Sequence, residues 1–228
     1  RQTAALPRDL ALRPSINRFM LDAPRFGLAG TDEAELAARQ AAFSESPAAR
    51  DILRSVENAS GNFDLPLVGL LDVDGYLLVS NPNSGTPGPG STPVRLANRD
   101  YFRLALAGGS AMQFLVGRYS RVPGLYFAHR IEHQGRPTGV AVVKQDIDSV
   151  ARLLGERSGA VVLVIDANGV VLLSNRAELV MRRLPGVTPA ADTDWSGTYQ
   201  RVPELLPWTP REAGRGDRVV DVRVVGRR

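Results

Sequence analysis

The chain contains no cysteine. That excludes a disulfide framework, a thiolate metal site and a cysteine nucleophile. It leaves the compartment open, because a sufficient core needs no disulfide even outside a cell. Lysine is almost absent: 27 of the 28 basic residues are arginine, and the single lysine is Lys144. The longest uninterrupted apolar run, Ala160 to Ile165, is six residues, whereas a spanning helix needs about 20. No secretory signal pattern is visible. No GxSxG elbow, P-loop or HExxH motif occurs, and no residue set reads as a nucleophile with its base.

What is present is ordinary globular material. The 228 residues are 43% hydrophobic and 23% charged, enough for one large domain or two small ones. The formal charge is +4 and the pI about 9.9. The arginines are interleaved with acids rather than striped, which argues against a nucleic-acid partner. Residue 1 is Arg1, and the chain closes on Val224-Val225-Gly226-Arg227-Arg228 just after a strand-like stretch. The expectation is a fragment or processed form, cut inside or just before the last strands of a fold.

Residues 1–62 read as helical. Asp32 and Glu35 have capping-box spacing, Ser46-Pro47 restarts a helix, and Ile52, Leu53 and Val56 form one apolar face that ends at Gly61 and Asn62. From Leu65 the period becomes that of strands. Leu67 to Leu71 is apolar, Asp74-Gly75 is a two-residue hairpin turn, and Tyr76 to Val79 returns. Residues 82–93 carry four prolines and three glycines and read as a loop. Asn98 is placed to cap a short helix ending near Gly108. Strands are expected at Met112–Ser120, Leu125–Glu132 and Thr138–Lys144, with Gly135 in the last turn. Asp148 is placed to cap a helix through Leu154.

The hairpin pattern then recurs. VGLLDVDGYLLVSN (68–81) and VLVIDANGVVLLSN (162–175) share six of fourteen positions, 94 residues apart. A repeated supersecondary unit signals repeated architecture. Short strands joined by tight turns favour antiparallel sheets with helices on them, an α+β class. The expected division is a helical region over 1–62, one unit over 63–157 and a second over 158–228. The second reads as incomplete: after a helix over 177–184, only Val219–Val225 is a clear strand.

Four stretches carry a family likeness: NRDYFRLALAG (98–108), FLVGRYSRVPGLYFAHRI (114–131), GVAVVKQDID (139–148) and VIDANGVVLLSN (164–175). In this order and spacing the chain resembles the extracytoplasmic double-Cache (PDC, PAS-like) sensors of bacterial membrane histidine kinases. The closest subgroup is the C4-dicarboxylate sensor kinases of the DctB type. The resemblance covers roughly residues 60–180. It implies N-terminal helices, led by a long helix leaving a first membrane span, followed by two tandem PAS-like units. It also implies a periplasmic location within an inner-membrane protein, a homodimer in the membrane, a kinase beyond a second span, and no catalytic site, metal or cofactor in this part. The same sensor unit also sits on chemoreceptors and cyclic-dinucleotide enzymes. A small hydrolase fragment is the reading from a different class.

The same resemblance implies that the first unit binds a small anionic ligand, a carboxylate or C4-dicarboxylate. The matching positions are Arg99, Ser120 and Lys144, with Tyr126 as a wall or donor and Tyr101 packing inward from the helix. Arginine grips a carboxylate bidentately, lysine adds a compact charge and hydroxyls satisfy remaining lone pairs. Two positions depart from the family pattern. Leu96 stands where a tyrosine is usual, and Arg118 where a threonine is usual. One hydroxyl is lost and a guanidinium gained. Competing structural readings are a solvated helix-start arginine, a turn serine and an edge-protecting lysine. Lys144 shares strand parity with Val140 and Val142, so it projects from the same face as two apolar residues. His129 and His133, about 13 Å apart on a strand, make a poor metal pair. Asp146 and Asp148 precede the expected helix and read as caps.

Overall fold

A computed structural model describes residues 2–22, 32–84, 94–147 and 161–208. The chain divides into two units, Arg1–Asp146 and Ile147–Arg228. The first begins with four helices: α1 (Gln2–Ala11), α2 (Pro14–Asp22), α3 (Glu33–Ser44) and α4 (Pro47–Phe63). The caps are the expected ones. The Asp32 carboxylate accepts from Glu35 N–H, and Ser46 Oγ accepts from Ala49 N–H with Pro47 at the first helical position. Helix α4 runs slightly past the expected stop and ends on Asp64, in left-handed backbone at φ 51°. Its buried residues, Ala49, Ile52, Val56 and Ala59, recur every three or four positions and form a single stripe. The longest helix among the described residues is thus 17 residues.

A five-stranded antiparallel sheet follows, in the order β2-β1-β5-β4-β3. Its strands are β1 (Leu67–Leu71), β2 (Leu77–Ser80), β3 (Ser110–Val116), β4 (Pro123–His133) and β5 (Arg136–Asp146). Alternation assigns the faces. Val68, Leu70, Ala141 and Val143 join a core with Leu10, Ile16, Met20, Phe43 and Val56 of the helices. Leu67, Leu71, Val140 and Val142 point the other way, into a second core with Tyr101, Phe102 and Leu115. The N-terminal helices are therefore built onto the sheet and belong to the same unit. Truncating Leu10 or Leu70 to alanine should cost about 2–5 kcal/mol each.

Helix α5 (Asp100–Gly108) covers the second face. It is held at both ends. Gln113 of β3 accepts from Tyr101 N–H (3.0 Å) and donates to Asp100 Oδ2 (3.2 Å). The Arg130 guanidinium donates to the carbonyls of Leu106 and Ala107 at the C-terminus, where a cation suits the helix dipole.

Several expectations are corrected. The position capping α5 is Arg99, not Asn98, whose Oδ1 instead accepts from Arg118. Strand β3 ends at Val116, where its ladder meets Pro123, which has no N–H to continue it. Residues 117–120 leave the sheet as a turn closed by Gly117 N–H to Val122 O and Arg121 N–H to Gly117 O. The Asp74-Gly75 turn is a three-residue loop, residues 73–75, because Asp72 Oδ1 accepts both Asp74 and Tyr76 N–H.

The second unit contains the hairpin β6 (Leu163–Ile165) and β7 (Val171–Ser174), a 3₁₀ turn at Ala177–Leu179 and the short helix α6 (Trp195–Tyr199). Its core is Val171, Leu179, Leu184, Leu206 and Trp208. The expected helix over 177–184 is only that 3₁₀ turn. Beyond it, local backbone bonds alternate with sideways ones to the hairpin: Met181 N–H to Val171 O, Val171 N–H to Arg182 O, and Leu184 N–H to Gly169 O. Pro185 also disfavours helix at Leu184. The expected Asp148–Leu154 helix and Val219–Val225 strand lie outside the described residues.

Candidate ligand-binding site

One cavity opens at the edge of the second core, between the start of α5, the β3–β4 turn and the ends of β4 and β5. Its cavity volume is small, about 30 Å³, and the rest of the recess is open to solvent. All six residues expected from the sequence line it: Arg99, Tyr101, Arg118, Ser120, Tyr126 and Lys144. Leu67, Ser84, Leu96, Leu115, Gly117 and Tyr119 complete the wall. Among the described residues the lining holds three cationic side chains and no carboxylate, although Asp146 stands beside it, paired with Lys144.

Lys144 is 3% exposed and Arg99 6% exposed, both far below what unpaired charges tolerate. The lysine lies on β5 directly opposite Tyr126 of β4 and Leu67 of β1. Its stem crosses Gly124, where an added Cβ would stand 2.4 Å from Lys144 Cε. Gly117 makes room in the same way. A Cβ there would meet Ser120 Oγ at 2.3 Å and the Tyr126 hydroxyl at 2.9 Å. The two glycines of the GRYS and PGLY stretches are thus explained by space for the polar wall. Sequence reading noted these motifs without that reason. Lys144 Nζ pairs with Asp146 Oδ1 at 2.6 Å. Asp146 thus ends β5 as an ion-pair partner, directly before Ile147, where helical backbone begins; the residues its expected cap would serve, and Asp148, lie outside the described residues.

Arg99 stands at the α5 N-cap with no side-chain cap bond, while its carbonyl accepts from Phe102 and Arg103 N–H. Tyr101 and Tyr126 stack at 5.3 Å between ring centroids and 11° between planes. Burial holds both phenols above their ordinary pKa, with Arg99 pulling each back in part. Both remain protonated near neutrality and keep O–H donors at the site. Arg118 is exposed at the mouth. Its guanidinium donates to Arg95 O (3.3 Å) and Asn98 Oδ1 (3.2 Å), tying the β3–β4 turn to the lead-in of α5. Ser120 is half-buried and serves its own turn too, its Oγ accepting from Val122 N–H at 3.4 Å. The turn-residue reading and the wall reading of Ser120 both apply. Leu96, buried where the family likeness has a tyrosine, makes that part of the wall apolar.

No group of three or more histidine, aspartate or glutamate side chains fit to hold a metal occurs among the described residues. His129 Nδ1 lies 2.6 Å from Ser110 Oγ across the β3–β4 ladder. Burial and the nearby Arg8 and Arg130 lower its pKa. The cavity's chemistry is that of an anion receptor: cations, phenol and hydroxyl donors, and apolar packing at one side.

Comparison with known proteins adds relatives in sequence and in fold. No protein-family model matches the chain. It is 33% identical over 170 residues to the C4-dicarboxylate transport sensor protein DctB of Rhizobium meliloti, covering 73% of this chain and 26% of that one. It is 43% identical over 82 residues to the protein of the same name from Pseudomonas aeruginosa, covering 36% of this chain and 13% of that one. The chain thus spans about a quarter or less of the length of these curated relatives. In three dimensions it is similar to the sensor domain of the Vibrio cholerae histidine kinase DctB. The TM-score is 0.70 at 19% identity, covering 96% of this chain and 81% of that one, which establishes a shared fold.

Proposed function

We propose that this chain, similar in sequence and fold to DctB sensors, is a DctB-type sensor domain: the periplasmic input region of a membrane sensor histidine kinase whose first unit binds a small dicarboxylate. The observation that carries this reading is the cavity wall, which brings Arg99, Lys144 and Arg118 together, with Asp146 paired to Lys144 beside it. Two carboxylates distributed over three cations satisfy both partners. Arg99 can take one oxygen pair in its planar fork, Lys144 supplies a point charge, and the Tyr126 and Ser120 hydroxyls reach the remaining lone pairs. A site with this many buried donors discriminates strongly against ligands that leave them unpaired.

Ligand binding would join three separate pieces: the α5 N-terminus through Arg99, the β3–β4 turn through Ser120 and Arg118, and β5 through Lys144. Strand β5 is the natural transmitter. Lys144 faces the cavity while Ala141 and Val143 pack on the helical side of the sheet. A ligand that binds one arrangement of these pieces better than another shifts their populations, which is all that signalling requires of the input domain. The domain's part is binding and not turnover.

The test is a thermal-shift and calorimetric series with succinate, fumarate, malate, monocarboxylates and amino acids. A C4-dicarboxylate at 100 times its Kd should stabilise the first unit by about 2.7 kcal/mol. Lys144→Ala and Arg99→Ala should each abolish that rise while remaining folded. If both variants respond like wild type, the cavity is not the site.

A further inference from the structure

The buried ammonium of Lys144 already has a carboxylate. Asp146 stands two residues on along β5, with the same strand parity, and its Oδ1 lies 2.6 Å from Nζ. Across the ladder Asp146 is opposite Gly124, the position whose missing side chain lets the lysine stem lie flat. The two partners differ in exposure: the lysine side chain is 3% exposed and the aspartate 38%. The aspartate's charge also reaches Tyr126 on the cavity wall. A carboxylate of the chain therefore occupies the cation that an incoming ligand carboxylate needs.

From this geometry we infer that Asp146 is a resident competitor for Lys144, which sets ligand affinity and makes a second ligand carboxylate necessary. The inference rests on the dicarboxylate reading of the cavity. With Asp146 in place the lysine pair is neutral as a unit. A monocarboxylate gains little from a neutral pair and meets the aspartate's repulsion. A dicarboxylate compensates through its second group at Arg99 and Arg118. In the absence of ligand the same aspartate supplies the counter-charge that a buried ammonium requires. Being the more exposed partner, it is the one that returns to water when the ligand carboxylate takes its place.

The experiment titrates succinate and butyrate, equal in carbon number but differing by one carboxylate, into the full chain and its Asp146→Asn variant. Asp51→Asn, a remote and exposed carboxylate, controls for overall charge. Asp146→Asn should bind succinate at least about tenfold tighter and should gain measurable butyrate binding, while Asp51→Asn and Asp146→Glu stay near wild type. If Asp146→Asn melts too early for titration, its succinate-induced rise in Tm should exceed that of wild type. Equal or weaker succinate binding by Asp146→Asn, with wild type binding normally, overturns the inference and leaves the site standing. Failure of wild type and variant alike to bind either acid overturns the site and the inference together.

Discussion

Two hairpins in this chain follow one backbone plan and arrive at different ends. In β1–β2, Asp72 Oδ1 accepts from Asp74 and Tyr76 N–H; in β6–β7, Asp166 Oδ1 accepts from Asn168 and Val170 N–H. Asn81 Oδ1 accepts from Val68 N–H, and Asn175 Oδ1 from Val162 N–H. Even the register irregularity repeats, between Leu70 and Leu71 and between Val164 and Ile165. Beyond the hairpins a returning segment bridges back each time, Arg95 to Tyr76 and Arg183 to Val170. The first hairpin then continues through α5 and β3–β5 into a sheet with a charged cavity. Among the described residues the second remains two-stranded, beside extended chain. The hairpin is a scaffold, and the binding chemistry lies in what is attached to it.

The polar centres differ too. Asp166 receives the Tyr199 hydroxyl, which also accepts from Asn168, while Thr193 donates to Asn168. Burial raises the Tyr199 pKa further above the phenol range, keeping that proton in place. Burial likewise pushes the Asp72 carboxyl up to about 6, against its backbone hydrogen bonds.

The sharpest way to break the comparison is to fill the space that only the first unit needs. Gly124→Ala should displace the Lys144 stem and weaken dicarboxylate binding by more than about tenfold, while the melting temperature changes little. Calorimetry alongside a thermal melt checks both halves. If affinity holds, the lysine's path across β4 is not required.

A smaller effect compares the turn glycines, Gly75 at φ 82° and Gly169 at φ 75°. Alanine is strained at both. At Gly75 its Cβ would also meet the Ala97 backbone at 2.7 Å, whereas at Gly169 it meets the Val187 Cβ at 2.7 Å, on chain outside any helix or strand. Denaturant unfolding should show a loss of about 3 kcal/mol for Gly75→Ala and about 2 kcal/mol for Gly169→Ala. Equal losses would mean that backbone conformation alone sets the cost.

The smallest effect concerns pH. The folded-state pKa of Asp72 lies above its unfolded value, so the folded state binds more protons between about pH 4 and about pH 6. Asp72 therefore lowers stability as pH rises through that window, by about 1–3 kcal/mol in total. Asp72→Asn keeps an acceptor for the turn. It should flatten this part of the stability–pH curve and gain about 1 kcal/mol at pH 7. An unchanged slope would assign the pH dependence elsewhere.

Much of this was legible because it is local. Period-two apolar runs, asparagine–glycine and aspartate–glycine pairs, and serine–proline starts act within a few residues, and they marked both hairpins and α4. The six candidate residues came from the family likeness, and the structure brings them to one cavity. The failures were non-local. Asn98 looked like a cap, but Arg118, 20 residues on, takes its oxygen. The 177–184 segment had helical composition, but the edge of β7 and the bridge to Leu205 claimed its backbone.

By itself the sequence determined the alternation that puts Lys144 on one face of β5, the repeated hairpin chemistry, and the scarcity of lysine that singles this residue out. Only the tertiary structure decided what Lys144 meets there: Asp146 at its tip, Gly124 beneath its stem and Arg99 in the same cavity. Parity along a strand is a property of the chain. Which charge stands beside a buried ammonium depends on strand register and on groups brought from elsewhere in the fold, and it is there that desolvation and ion pairing are settled.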